Sequence, residues 1–149
     1  MASKLNVFVD ADVIFAGAAS PSEYSASNVV LRMAEITLIN AITSAQAITE
    51  VERNLTEKLP AILPEFRQIV SRSLKVVDIP KPEDLTGYYG QANPKDLPLL
   101  VAALQANCAY FLTFNTRHFF PKAETPIIIL RPGELVQTAR LLLGGLSIP

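Results

Sequence analysis

The chain has 149 residues, of which half are apolar and 18% are charged. This composition favours a compact globular protein, with residues 1–149 forming one domain, and excludes an extensively disordered chain. The formal net charge of −1 excludes the broad basic surface of proteins that bind nucleic acids avidly without sequence preference. Any contact with a nucleic acid would therefore be local or helped by a partner.

Cysteine content and the length of the apolar runs indicate the cellular compartment of the protein. Cys108 is the only cysteine, so neither an intrachain disulfide nor a cysteine-based zinc site can form, and a buried apolar role is expected. The opening residues, MASKLNVFVD, lack the apolar core of a signal peptide. No apolar run reaches the length of a membrane span. These features predict a cytoplasmic protein.

The first predicted element is an apolar strand followed by two acidic residues. Residues 5–9 predict a fully buried strand, and the stretch VFVDADVIFAG then places Asp10 and Asp12 in otherwise apolar sequence. A buried carboxylate normally has a cation, a hydrogen-bond network or a metal as its partner. Asp10 and Asp12 are therefore the first candidate site residues, although either could instead be hydrated at the strand end or serve a turn.

A helix, a short strand and a second helix come next. Residues 25–36 predict the first helix, with Val29, Met33 and Ile36 on its apolar face, and residues 40–43 predict the strand. The second helix has an apolar stripe formed by Ile48, Val51, Leu55 and Leu59.

The start of this second helix has two candidate N-caps. Thr43 and Ser44 both precede the helical pattern, and Gln46 has the spacing that closes a capping box over Thr43. Its early acidic residues are Glu50 and Glu52. Glu52 lies nearer the apolar stripe on a helical wheel, whereas Glu50 lies in the opening turns, where a side chain can reach the edge of a sheet.

The second half of the chain continues the alternation of predicted strands and helices. Its predicted helices are residues 64–73, 96–107 and 133–143, and its predicted strands are residues 75–79, 110–114 and 126–130, with a short helix or loop in between. Asp96 is the expected N-cap of the middle helix, and Pro98 is tolerated in its first turn. Such alternation predicts an α/β three-layer sandwich, in which helices flank a parallel sheet of about five strands.

Acidic and amide side chains collect at one edge of this predicted sheet. Ligands of open α/β sheets bind beyond the carboxyl ends of the strands, where Asp10 and Asn115 both lie. Glu50 and Asp96 are close to helix starts that face the same edge. Oxygen ligands from several elements suit a hard cation, Mg²⁺ or Mn²⁺.

These residues lie in segments that resemble the PIN-domain nucleases, particularly small prokaryotic members often described as toxins of toxin–antitoxin pairs. The segments are VFVDADVIFAG, TSAQAITEVERNL, NPKDLPLLVAALQANCAYFLTFNTRHF and PIIILRPGELV. The resemblance implies a PIN-like, Rossmann-like fold with Asp10, Glu50 and Asp96 as metal-binding catalytic acids. Asn115 stands where many PIN domains have a fourth Asp, and Asp12 and Thr113 would support the site.

The resemblance also implies an activity and partners. A PIN nuclease hydrolyses RNA with Mg²⁺ or Mn²⁺ and leaves a 3′-hydroxyl and a 5′-phosphate. Small members commonly form homodimers and pair with an antitoxin protein. No histidine base is required, so His118, which precedes Phe119 and Phe120, is expected to be a packed residue.

Other interpretations of the same residues stay open. Asp10-Ala-Asp12 imitates the opening of haloacid-dehalogenase-like phosphatases, but the last predicted strand lacks their acidic pair. Asn115 also allows a PIN fold that has lost catalysis and acts as a binding module. Four cations, Arg32, Lys95, Arg117 and Lys122, could contact phosphates, and each taken singly is expected to be an ordinary surface charge.

Overall fold

A computed structural model describes residues 4–146, so both ends of the predicted domain, residues 1–3 and 147–149, lie outside the described residues. Its strands are β1 (Leu5–Val9), β2 (Ile39–Ser44), β3 (Leu74–Val77), β4 (Tyr110–Leu112) and β5 (Ile128–Leu130). Its α-helices are α1 (Ala11–Ala19), α2 (Ala26–Glu35), α3 (Ala45–Lys58), α4 (Leu63–Ser73), α5 (Leu97–Gln105) and α6 (Pro132–Gly144). Short 3₁₀ helices cover Pro60–Ile62, Pro82–Tyr88 and Thr116–His118.

The five strands form one parallel sheet in the order β3-β2-β1-β4-β5. Val7 of β1 is in register with Ala41 of β2 on one side and with Tyr110 of β4 on the other. Since the chain moves outward from β1 in both directions, the strand order reverses between β1 and β4. A crevice opens at the carboxyl ends of these two strands, where such sheets bind ligands. The predicted α/β sandwich with about five parallel strands is confirmed.

The core explains why these segments take these positions. Val7, Phe8 and Val9 of the central strand are fully buried, as predicted, whereas Leu5 at its start is 36% exposed, so the prediction of burial over the whole strand is wrong there. The ring of Phe8 stacks on that of Phe111 in the neighbouring strand, with the ring centroids 4.8 Å apart. Cys108 is a buried free thiol, as expected, and burial raises its pKa to about 12.

Helix α1 was not predicted from the sequence. Its residues, ADVIFAGAA, are apolar on nearly every face, so they carry no helical period that could separate them from the preceding strand. The apolar face predicted for the next helix is right for Met33, which packs against the core, and wrong for Ile36, which is 64% exposed. The residues that α2 buries are Ser27, Val30 and Leu31, since α1, α4 and α6 all pack against it.

The start of α3 confirms one of the two predicted N-caps and excludes the other. Ser44 is its N-cap and accepts a hydrogen bond from the Ala47 backbone N–H. Thr43 is a buried strand residue whose hydroxyl donates to the carbonyl oxygen of Val9, at 2.8 Å. The predicted capping box is therefore wrong, and the Gln46 amide instead donates to the backbone carbonyl of Lys95.

Between residues 4 and 146, none of the helices combines the length and the apolar character that crossing a membrane requires.

Candidate active site

Asp10 lies at the carboxyl end of the central strand, at the point where α1 begins. It is the N-cap of α1, and its Oδ1 accepts a 2.7 Å hydrogen bond from the Ala11 backbone N–H. Its Oδ2 accepts a 2.9 Å hydrogen bond from the hydroxyl of Thr113, which follows β4. Only 7% of Asp10 is exposed to solvent. The carboxylate is therefore held rigidly across the crevice between β1 and β4.

Asp12 connects the first turn of α1 to the loop after β4. Its Oδ2 accepts hydrogen bonds from the Phe114 backbone N–H, at 3.0 Å, and from the Asn115 side-chain amide, at 3.3 Å. The Thr113 hydroxyl is 3.4 Å from the same oxygen, but its single proton is better placed on Asp10. Asp12 therefore fixes the position of Asn115, a contact that the sequence analysis did not predict.

Asp96 occupies the expected N-cap position of α5, but its side chain makes no capping hydrogen bond. Its Oδ2 lies 3.2 Å from Nδ1 of His118 and has no hydrogen-bond partner, although the atom is buried. His118 is thus half exposed beside an acid rather than packed in the core as expected. A carboxylate with a free buried oxygen at a helix start is available to a ligand.

Glu50, rather than Glu52, lies beside the other acids. It lines a cavity of about 350 Å³ together with Asp96, and a second cavity of about 160 Å³ together with Asp12. Glu52 lies on the side of α3 where α4 packs, and its Oε1 is 3.1 Å from the Arg67 guanidinium in an exposed ion pair. Glu52 is therefore held toward α4, whereas Glu50 lies beside the other acids at the sheet edge.

The electrostatics of the site are those of like charges held close together. The pKa of Asp10 is raised to about 7, mainly by burial and then by the charge of Asp12, with a smaller contribution from Asp96, against the hydrogen bonds from Thr113 and Ala11 that lower it. Burial also raises the pKa of Asp12, with a contribution from the charge of Glu50. In the part of the chain that the structure describes, no lysine or arginine forms an ion pair with any of these four acids.

The donor atoms suit a hard divalent cation. Asp12 Oδ1 and Asp96 Oδ2 are buried without hydrogen-bond partners, and carboxylate oxygens are the ligands that Mg²⁺ and Mn²⁺ prefer. Within residues 4–146, no three Asp, Glu, His or Cys side chains are close enough to hold an ion by themselves. Since Mg²⁺ usually keeps several waters and binds one or two carboxylates directly, the residues present fit such an ion.

Two cations on α3, Arg53 and Lys58, also lie at the site and were not predicted from the sequence. Arg53 lines the larger cavity and Lys58 the smaller one. Helical spacing was the available signal, because residues three or four positions apart lie on the same helix face. Arg53 follows Glu50 by three positions and so shares its face.

Comparisons with known proteins were consistent with this architecture. Residues 6–117 match the sequence model of a family described as the PIN domain. The fold is similar to a chain in the crystal structure of VapBC2 from Rickettsia felis bound to a DNA fragment from their promoter. The TM-score is 0.62 at 14% identity, with 85% of this chain and 98% of the other covered. At this identity the likeness shows the fold alone. No curated protein sequence matches the chain.

Proposed function

The chain belongs to the PIN-domain family, and from this premise we propose that it is a toxin-type endoribonuclease that hydrolyses RNA phosphodiester bonds with Mg²⁺ or Mn²⁺. The observation that supports this most strongly is a pair of buried carboxylate oxygens without hydrogen-bond partners, one on Asp12 and one on Asp96, beside the buried Asp10. Such oxygens are costly unless a ligand binds them. One PIN-like domain would account for the whole activity.

In this proposal, Asp10, Glu50 and Asp96 would hold the cation, one or two of them directly and the others through its bound waters, and Asn115 supplies a neutral amide at the rim. A bound divalent ion would activate water and neutralise the charge that develops on the scissile phosphate. Thr113 holds Asp10 by its hydroxyl, and Asp12 holds the Asn115 amide. Asp10 and Asn115 are therefore oriented before any ligand arrives, so their part of the site requires little rearrangement on binding.

Partners and compartment belong to the same proposal. We propose RNA as the substrate, an antitoxin protein as a regulatory partner and a homodimer as the working form, in the cytoplasm. The VapBC2 chain with a similar fold was crystallised in a complex bound to promoter DNA, which supports looking for a protein partner of this chain. The net charge of −1 favours recognition of the RNA by local contacts.

The test is cleavage of a labelled single-stranded RNA in Mn²⁺, in Mg²⁺ and in EDTA. Wild-type protein should cleave with either metal and not in EDTA. Asp10→Asn and Asp96→Asn should each lower the rate about a hundred-fold or more, since each removes a charge from the metal site. Asp84→Asn is the matched control, because an amide can still accept the hydrogen bond that Asp84 receives from the Lys81 backbone N–H.

Glu50 and Glu52 provide a second matched pair on one helix. Glu50→Gln should lower the cleavage rate about tenfold or more and weaken Mn²⁺ binding measured by calorimetry. Glu52→Gln should change neither, because it removes only an exposed ion pair with Arg67. Equal effects of the two substitutions would contradict the assignment of Glu50.

Asn115 favours one other function, a PIN-fold binding module without catalysis. It places an amide near the acids, and an amide adds no charge to hold a metal. Absence of cleavage by the wild-type protein in both metals, with no tighter Mn²⁺ binding than an Asp10→Asn, Glu50→Gln, Asp96→Asn triple variant, would overturn the nuclease in favour of this module.

A further inference from the structure

We propose that the cavity between α3 and the start of α5 binds a backbone phosphate of single-stranded RNA, through Arg53 and Lys95, next to the bond that is cut. This inference rests on the proposed nuclease function and names how its substrate is held. The cavity has a volume of about 350 Å³, and Arg53 and Lys95 share it with Glu50 and Asp96.

The walls of this cavity are tied together by a hydrogen bond. Gln46, in the first turn of α3, donates from its side-chain amide to the backbone carbonyl of Lys95, at 3.2 Å. The segment that carries Lys95 and Asp96 is therefore fixed against α3, which carries Glu50 and Arg53. A pre-formed cavity of this kind loses little conformational freedom when a ligand binds.

Opposite charges share this cavity without pairing. In residues 4–146, the ion pairs formed by arginine or lysine are Arg32 with Glu23 and Arg67 with Glu52, and neither Arg53 nor Lys95 takes part in one. The acids are thus left for a cation and the basic side chains for an anion. A phosphodiester with a divalent ion beside it carries both charges, and Arg and Lys commonly bind its phosphate oxygens.

A second basic group extends the path of the nucleic acid along α3. On the other side of Glu50, the cavity of about 160 Å³ is lined by Asn54 and Lys58 together with Asp12. Arg53 and Lys58 are five residues apart, roughly 7.5 Å along the helix axis. A single strand that crosses the acidic centre would therefore meet a cation on each side, whereas a small phosphate would need only one.

The experiment measures binding of a fluorescently labelled ten-nucleotide single-stranded RNA by anisotropy, in EDTA so that metal-dependent cleavage does not occur. The variants are Arg53→Gln and Lys95→Gln in the full chain, with thermal unfolding as the check on folding. Arg72→Gln is the matched control, because Arg72 lines a basic cavity at the opposite end of the sheet, with Lys4 and Lys75. All three variants lose one positive charge.

Arg53→Gln and Lys95→Gln should each weaken RNA binding roughly three- to tenfold at low salt. Each should also reduce the slope of log K against log salt by about 0.7, the value for one phosphate contact on a single strand. Arg72→Gln should bind within about twofold of wild type. Unchanged binding and slope in the first two variants, or a larger loss in Arg72→Gln, would overturn the proposal.

Cleavage distinguishes failure of this inference from failure of the proposed function. If the wild type cleaves RNA while Arg53→Gln and Lys95→Gln bind RNA as the wild type does, the phosphate site is wrong and the nuclease stands. If the wild type binds RNA through these residues but cleaves it in neither metal, the phosphate site stands and the nuclease is wrong. A wild-type protein that binds no RNA overturns the phosphate site.

Discussion

Polar side chains at the two ends of the parallel sheet are used in opposite ways. At the amino ends, the Asn40 amide donates to Oδ1 of Asn6 at 3.0 Å, and the Asn6 amide donates to the carbonyl of Ala106 at 3.2 Å. At the carboxyl ends, Asp12 Oδ1 and Asp96 Oδ2 are buried without a hydrogen-bond partner, and Asp96 Oδ2 has only His118 Nδ1 beside it, at 3.2 Å. Polar groups that satisfy one another hold the fold together, whereas groups left unsatisfied indicate a ligand site.

Charge distinguishes the two ends as well. The cavity at the amino ends is the larger, about 710 Å³, and its charged lining residues are Lys4, Arg72 and Lys75. The cavity of about 350 Å³ at the carboxyl ends contains both acids and cations. Size alone would select the amino ends, whereas the proposed phosphodiester hydrolysis needs a place for a divalent ion beside a place for a phosphate, which only the carboxyl-end cavity offers of the two.

The largest effect on stability should follow replacement of Asp10, at the carboxyl ends of the strands. Its folded-state pKa is raised from 3.8 to about 7, so the native state binds a proton more tightly than the unfolded chain. Metal-free wild-type protein therefore loses stability as the pH rises from about 4 to about 7, at about 1.4 kcal/mol per pH unit from this group. Asp10→Asn stays neutral and should not show this loss.

Chemical unfolding in EDTA across this pH range measures the difference. Near pH 4 the two proteins should be similar, and at pH 8 Asp10→Asn should be more stable by roughly 2 to 4 kcal/mol. Adding Mn²⁺ at pH 8 should stabilise the wild type and leave Asp10→Asn unchanged. A parallel pH dependence in both proteins would show that Asp10 is not the strained group.

A smaller effect on stability is expected for Asn115→Asp. Its sign should depend on whether metal is bound. The substitution replaces the amide that donates to Asp12 Oδ2 at 3.3 Å with a like charge. In EDTA this should destabilise the protein by about 1 to 2 kcal/mol. With saturating Mn²⁺ the added carboxylate should strengthen metal binding, so the deficit should shrink or reverse. The same deficit in EDTA and in Mn²⁺ would place Asn115 outside the metal's reach.

The difference between the two ends was only partly predictable from the sequence. The positions of Asp10 and Asn115 at one edge follow from local pattern, because parallel strands bring their carboxyl ends together. The contact between Asp12 and Asn115 joins residues 103 positions apart, and no local period encodes such a contact. The segment ADVIFAGAA forms α1, the helix that directs Asp12 toward the loop after β4. Because this segment is apolar on nearly every face, its sequence has no helical period from which α1 could be predicted.

Asp96 is a single residue whose position, but not its hydrogen bonding, could be predicted from the sequence. Its place before an apolar helix predicts a capping aspartate, and the helix does begin there. Whether the carboxylate caps the helix depends on its backbone conformation, which is helical at Asp96, whereas the capping Asp10 is extended. The sequence pattern is the same in both cases, so only the structure distinguishes the satisfied carboxylate from the unsatisfied one.

The smallest expected effect on stability follows a substitution at the amino ends of the strands, where the polar side chains are hydrogen-bonded. This effect should not depend on metal. Asn6→Ala removes two hydrogen bonds, to Asn40 and to the Ala106 carbonyl, and should cost about 1 kcal/mol, or about 2 to 4 °C in the unfolding temperature. Scanning calorimetry should give the same loss in EDTA and in Mn²⁺, with RNA cleavage unchanged. A loss that Mn²⁺ reverses would mean that the two ends are coupled, and unsatisfied oxygens alone would then no longer locate the site.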